Sequence, residues 1–115
     1  MQNKNQKIRV HFIGIGGIGM SGIAELMKKI GYRVSGSDIT ESENVKRLKD
    51  IGIIVNIGHN KKNISKVNAV VYSSAVKQNN PEIKEAKKNK IPIVSRADML
   101  AELMKNKKCI AIAGS

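Results

Sequence analysis

The sequence predicts an α/β domain of the Rossmann-like kind, a mainly parallel sheet with helices on both faces. Three observations carry this reading. Short apolar strands alternate with helical stretches from end to end, which requires crossover helices between parallel strands. The first strand runs into Gly14-Ile-Gly16-Gly-Ile-Gly19 just ahead of an amphipathic helix, as in nucleotide-binding βαβ units. An acidic residue, Asp38, follows nineteen residues beyond Gly19 at the end of the next strand.

Each element has its own signal. Lys7 to Ile13 reads as the first strand. Ile18 to Ile30 reads as a helix, with Ile23, Leu26, Met27 and Ile30 on one stripe and Gly31 as its stop. Tyr32 to Ser37 is the second strand. Thr40-Glu-Ser-Glu43 has capping-box spacing and opens a helix that carries Val45 and Leu48 and closes near Gly52. Ile53 to Ile57 is a short β-branched third strand, and Asn60 to Lys66 is a polar stretch with room for one helical turn. Ala69 to Ser73 is the fourth strand, whose apolar start predicts burial on both faces. Asn80-Pro81-Glu82 starts a helix, with Asn as cap and Pro in the first turn. That helix runs to about Asn89 with Ile83 and Ala86 inward. A strand at Ile91 to Val94, a helix at Ala97 to Met104 with Leu100, Leu103 and Met104 apolar, and a strand at Lys108 to Ala113 complete the pattern. The last strand leads into Gly114-Ser115.

Bulk composition narrows the class. A chain of 115 residues fits one domain with a single core, and 41% apolar content excludes wholesale disorder. The apolar runs are too short to span a bilayer. Met1 to Lys7 is polar and lacks the apolar core of a signal peptide. The one cysteine, Cys109, cannot form an internal disulfide and reads as a buried small hydrophobe. These features predict a cytoplasmic protein with no membrane partner. The formal charge of +12 raises nucleic acid as a partner, but there are only three aromatics, Phe12, Tyr32 and Tyr72, and the lysines are dispersed. Several lysines fall near helix ends, where they complement the dipole. No nucleic-acid partner is predicted.

The glycines have distinct physical roles. Gly14 permits a tight turn off the strand, Gly16 lets backbone approach a phosphate, and Gly19 allows close packing of helix on strand. Unpaired N–H groups at the helix start suit a pyrophosphate. In parallel sheets ligands bind beyond the carboxyl ends of the strands. That rule gathers Gly14 to Ser21, Asp38, Gly58-His59 and Ser73-Ser74-Ala75 on one edge. Asp38 either accepts hydrogen bonds from ribose hydroxyls or caps the following turn. Ile39, Thr40 and Glu41 follow it without an arginine, so a 2′-phosphate would meet negative charge. These residues alone also permit an NAD-binding domain of an oxidoreductase or a nucleotide-sensing regulatory module.

An ordered set of segments resembles the Mur ligase family. It comprises Gly14-Ile-Gly-Gly-Ile-Gly-Met-Ser-Gly22, Gly36-Ser-Asp38, Gly58-His59, Tyr72-Ser-Ser-Ala-Val76, Asn80-Pro-Glu82, Ser95-Arg-Ala97 and Ala111-Ile-Ala-Gly-Ser115. The resemblance runs from Ile8 to Ser115 and leans to the alanine-adding branch. In a tripeptide-recycling branch the loop carries Cys and Thr-Phe where this chain has Gly17 and Ile18-Gly19. The resemblance implies a three-domain cytoplasmic enzyme of peptidoglycan synthesis whose first domain holds the UDP part of UDP-N-acetylmuramate. ATP, with Mg2+, would activate the muramic acid carboxylate, and the amine of L-alanine would attack the acyl phosphate. Gly114 and Ser115 would open the ATP phosphate loop, which the family continues with His-Gly-Lys-Thr. Residues 1–115 are therefore expected to be a single UDP-binding N-terminal domain cut just before the ATP-binding domain. Alone it is expected to be non-catalytic and to bind no cofactor or metal.

The resemblance also implies residue roles. Amides of Ile15, Gly16, Gly17, Ile18, Gly19, Met20 and Ser21 would face the pyrophosphate. Ser21 either adds a hydroxyl or caps a helix end, and Met20 either lines a uridine pocket or packs in the core. His59 either contacts the nucleotide or is a solvated loop residue. Ser73, Ser74 and Ala75 either approach sugar or phosphate or simply end a strand. Arg96 pairs with an anionic substrate group or with a neighbouring helix end.

Overall fold

Parallel strands cannot be joined by tight hairpins, so each strand here is separated from the next by a crossover segment. The computed structural model describes residues 8–106. Its strands are β1 (Arg9–Ile13), β2 (Arg33–Asp38), β3 (Ile54–Ile57), β4 (Ala69–Tyr72) and β5 (Ile93–Ser95). They form one five-stranded sheet in the order β3-β2-β1-β4-β5, parallel at every pairing. The helices are α1 (Met20–Ile30), α2 (Glu43–Asp50), α3 (Pro81–Lys88) and α4 (Arg96–Asn106), with a 3₁₀ turn at Lys61–Ile64. The Rossmann-like α/β class is thus observed. The anticipated strand at 108–113, together with Cys109, Gly114 and Ser115, lies outside the described residues.

Strand side chains alternate between faces, so β1 and β2 each present two different surfaces. Val10 and Phe12, paired with Val34 and Gly36, join Ile15, Met20, Ile23, Ala24, Met27, Val45 and Leu48 in an apolar core. That core lies beneath α1 and α2, and Leu103 of α4 completes it. On the opposite face Ile13 and Val70 pack with Ile64, Val67, Ile83 and Ala86, beneath α3 and the 3₁₀ turn. Val70 and Val71 are both fully buried, as the apolar start of the fourth strand predicts. Gly36 has a packing reason, because a Cβ there would collide with the Ile15 side chain.

Several boundaries differ from expectation for local reasons. Helix α1 begins at Met20, not Ile18, because Gly19 takes a left-handed conformation (φ 81°) at its N-cap, leaving Ile18 96% exposed. The cap of α2 is Ser42, whose hydroxyl accepts from the Val45 amide, and not Thr40. Strand β5 starts two residues late, at Ile93. Leu26, Leu100 and Met104 remain partly exposed. The start of α3 follows its signal: Asn80 Oδ1 accepts from the Glu82 amide, with Pro81 as the first helical residue.

The sheet order turns back on itself between β1 and β4. The loop after β1 leads to α1 on one face, and the segment after β4 leads to α3 on the other. A crevice must therefore open between these two loops at the carboxyl ends of the strands.

Candidate functional site

The crevice is present as a cleft of about 620 Å³. Gly14 and Gly17 line it from the loop after β1, Asp38 and Ile39 from the end of β2, and His59 from the loop after β3. Ser73, Ala75, Val76 and Lys77 line it after β4, and Asn80 and Pro81 bring in the start of α3. The structure thus gathers Gly14, Gly17, Asp38, His59, Ser73 and Ala75 around one space, as their positions at strand ends require. Ser74 is exposed beside it and is not among its lining residues.

The glycine loop is held by a defined set of hydrogen bonds. Gly14 has φ 78°. The amides of Gly14 and Ile15 both donate to the Ser37 carbonyl, at 2.8 and 3.1 Å. The Gly16 amide donates to Asp38 Oδ2 at 2.8 Å, while Asp38 Oδ1 accepts from the Ile39 amide at 2.8 Å. Gly17 donates to the Gly14 carbonyl, and Met20 and Ser21 both donate to that of Gly17. From Ile15 to Ser21, the amides of Ile18 and Gly19 are those without an acceptor among the described residues. Arg96 lies against this corner, its Nη1 3.1 Å from where a Gly19 Cβ would stand. Two amides without an acceptor and a guanidinium thus lie close together at the N-terminus of α1, just outside the residues that line the cleft.

Four residues of this segment are engaged by the protein itself, Met20 in the core reading of its two alternatives. The side of Gly16 where a side chain would stand is tight against protein: a Cβ would come within 2.8 Å of Val45 Cγ2, 2.9 Å of Asp38 Oδ2 and 3.0 Å of Ser42 Oγ. Met20 is fully buried in the apolar core, so its side chain does not line the cleft. Ser21 is buried with its hydroxyl accepting from Arg47 Nη2 at 3.3 Å, which turns it toward α2. Ile15 is likewise core, with its side chain against Gly36. Gly114 and Ser115 lie outside the described residues.

Sequence reasoning missed a polar cluster buried under the cleft. His11 and Glu82 are both 0% exposed, and His11 Nε2 lies 2.8 Å from Glu82 Oε1. Ser37 Oγ donates to the same oxygen at 2.7 Å and is 2.9 Å from His59 Nδ1. The Asn60 amide and Asn63 Nδ2 donate to Glu82 Oε2, at 3.0 and 2.7 Å. Burial alone would raise the Glu82 carboxyl. Hydrogen bonding and charge from His11, with hydrogen bonds from Asn63 and Ser37, outweigh it and hold the group down at about 2. The signal available in the sequence was the period-two placing of polar residues within the buried part of two strands, His11 between Val10 and Phe12 and Ser35 and Ser37 on either side of Gly36.

Fold and cleft together define a Rossmann-like α/β domain with a crevice at the carboxyl ends of its parallel strands. The model of the Mur ligase family, catalytic domain, matches residues 9–108. The chain belongs to the Mur ligase family. It is 56% identical to UDP-N-acetylmuramate–L-alanine ligase of Rickettsia typhi, a match covering 100% of this chain and 23% of that protein. It is also 56% identical to the ligase of the same name from Xanthobacter autotrophicus, over 92% of this chain and 23% of that one. The crystal structure of UDP-N-acetylmuramate-alanine ligase MurC from Thermotoga maritima superposes with a TM-score of 0.85 at 36% identity, covering 88% of this chain and 24% of that one. The chain spans about 23% of the length of the curated relatives it matches.

Proposed function

We propose that this chain is the UDP-N-acetylmuramate-binding domain of a UDP-N-acetylmuramate–L-alanine ligase, working in the cytoplasm in peptidoglycan synthesis. The single observation that supports this most is the cleft at the β1/β4 turning point, in a chain 56% identical to ligases of that name. Residues 1–115 form one domain in this reading, and the amide-forming chemistry belongs to the whole enzyme. When bound, ATP and Mg2+ would supply carboxylate activation. Among the described residues no cluster of three or more His, Cys, Asp or Glu could hold a metal, and none is assigned to either cofactor.

Within this domain the work is binding and orientation. The pyrophosphate rests against the amides of Ile18 and Gly19, with the Arg96 guanidinium as counter-charge. Asp38 does two things at once. Its carboxylate fixes the loop through the Gly16 and Ile39 amides, and its remaining lone pairs accept a ribose hydroxyl. His59, Ser73 and Ala75 face the rest of the nucleoside, and the exposed Lys77 adds positive potential at the rim. Binding of a small anionic ligand at a site this open is expected to be weak, on the order of high-micromolar to millimolar. No described helix is long and apolar enough to cross a membrane.

The test is an NMR titration of the chain with UDP, UDP-N-acetylmuramate, NAD and AMP. Amide shifts at Gly17 to Gly19 and at Asp38 are expected with the two UDP ligands. A stronger response to NAD would replace this reading with that of a dinucleotide-binding domain.

A further inference from the structure

His59 is the one ionisable side chain of the buried cluster that also lines the cleft, with 17% of its side chain exposed. Its ring sits at the end of a chain of hydrogen bonds whose direction can be worked out. Glu82 Oε2 accepts from the Asn60 amide, which can only donate. It also accepts from Asn63 Nδ2, whose identity as nitrogen is fixed by its bond to the Gly58 carbonyl at 3.2 Å. Oε2 therefore carries no proton. Oε1 faces His11 Nε2 and the Ser37 hydroxyl, so all four acceptor positions of the carboxylate are filled by donors.

A serine hydroxyl has one proton. Ser37 gives it to Glu82 Oε1 at 2.7 Å, which leaves its oxygen as an acceptor toward His59 Nδ1 at 2.9 Å. Nδ1 must then hold a hydrogen. In a neutral ring Nε2 is consequently a bare lone pair. His59 makes no other hydrogen bond among the described residues, and no fully buried side-chain polar atom lacks a partner, so Nε2 is reachable from solvent.

We propose that Glu82 is a positioning residue that acts through Ser37 to hold neutral His59 as the Nδ1–H tautomer. Nε2 is thereby presented to the cleft as an acceptor for an N–H or O–H group of the bound nucleotide. This rests on the cleft being the nucleotide site. Free imidazole side chains favour the opposite tautomer, so the buried carboxylate reverses the default and sets which ligand atom is recognised.

The reversal can itself be reversed. In Glu82→Gln the amide NH₂ cannot face Asn60 and Asn63, which are obligate donors, so it faces His11 and Ser37. Ser37 then accepts from the new amide and donates to His59 Nδ1, and the proton moves to Nε2. Volume and the pattern of contacts are retained.

The experiment is a long-range ¹H–¹⁵N spectrum of the imidazoles in the 115-residue chain, in alkaline buffer. It is recorded for wild type and Glu82→Gln, without ligand and with UDP or ribose 5-phosphate. For wild-type His59 the expected result is a protonated Nδ1 and a bare Nε2 that shifts on adding UDP. A shift with ribose 5-phosphate alone would assign the donor to a sugar hydroxyl, and its absence would assign it to the base. Glu82→Gln is expected to show the opposite tautomer, with UDP affinity about tenfold lower. A wild-type His59 protonated on Nε2 overturns the proposal and leaves the nucleotide site standing, and this arm needs no variant to fold. Shifts elsewhere in the cleft with Nε2 unmoved also overturn the proposal alone. No UDP response anywhere in the cleft overturns the site and the ligand role together.

Discussion

The two faces of β1 and β2 differ in kind. Toward α1 and α2 they present Val10, Phe12, Val34 and Gly36 to an apolar core. Toward α3 the same strands present His11 and Ser37 to the buried carboxylate of Glu82, with Ser35 paired to His11 Nδ1 and Ile13 packed in the apolar cluster beside them. Apolar packing spreads its energy over many weak contacts, so no single one of them decides the geometry. The polar face is different. Glu82 accepts one bond from each of four donors, and removing it strands them all. The first face holds the sheet together, and the second sets the geometry of a residue in the cleft.

The sharpest way to break this contrast is Glu82→Ala. It leaves the Asn60 amide, Asn63, Ser37 and His11 without their buried acceptor, and a loss of about 3–5 kcal/mol is expected in urea unfolding. A loss below about 1 kcal/mol would mean that the cluster rearranges freely and the contrast is false.

Acid offers a reversible version of the same test. The Glu82 carboxyl is held down from 4.5 to about 2 in the folded protein. The unfolded chain therefore takes up the proton first, and stability present above about pH 4.5 is lost as pH falls toward 2. The whole window is worth about 3 kcal/mol. Glu82→Gln should lack this component, which comparison of its acid unfolding curve with wild type would reveal. An unchanged curve would place the charge elsewhere.

On the apolar face the matching probe is Gly36→Ala. The new methyl meets the Ile15 side chain, and a loss of about 1–3 kcal/mol is expected in thermal unfolding, with the acid window unaltered. Gly16→Val belongs with it. Its clash with Val45, Asp38 and Ser42 should damage folding as well as binding, so it is no clean probe of phosphate contact. The smallest effect is expected of Ser42→Ala, which removes the α2 cap at about 1 kcal/mol and touches neither the cleft nor Glu82.

The contrast also explains what was legible beforehand. Strand and helix alternation, the stripe through Ile23 and Met27, the Asn80-Pro81 start and the gathering of Gly14, Asp38, His59 and Ser73 at one edge all follow from local patterns. Each of those residues acts where its immediate neighbours place it. Glu82 does not. In sequence it is a first-turn acid favourable to a helix dipole, and only the packing of α3 over β1 and β2 makes it a buried acceptor. The loop amides pose the same difficulty. That Asp38 occupies Gly16 N–H, leaving Ile18 and Gly19 open, depends on how β2 ends relative to the loop after β1, which spacing alone does not specify.

The most direct measurement is a crystal structure of the chain soaked with UDP. The expected density places the diphosphate within hydrogen-bonding distance of the backbone nitrogens of Ile18 and Gly19, with Arg96 beside it and the ribose at Asp38. Diphosphate bound away from that corner, with those two amides unengaged, would contradict the account.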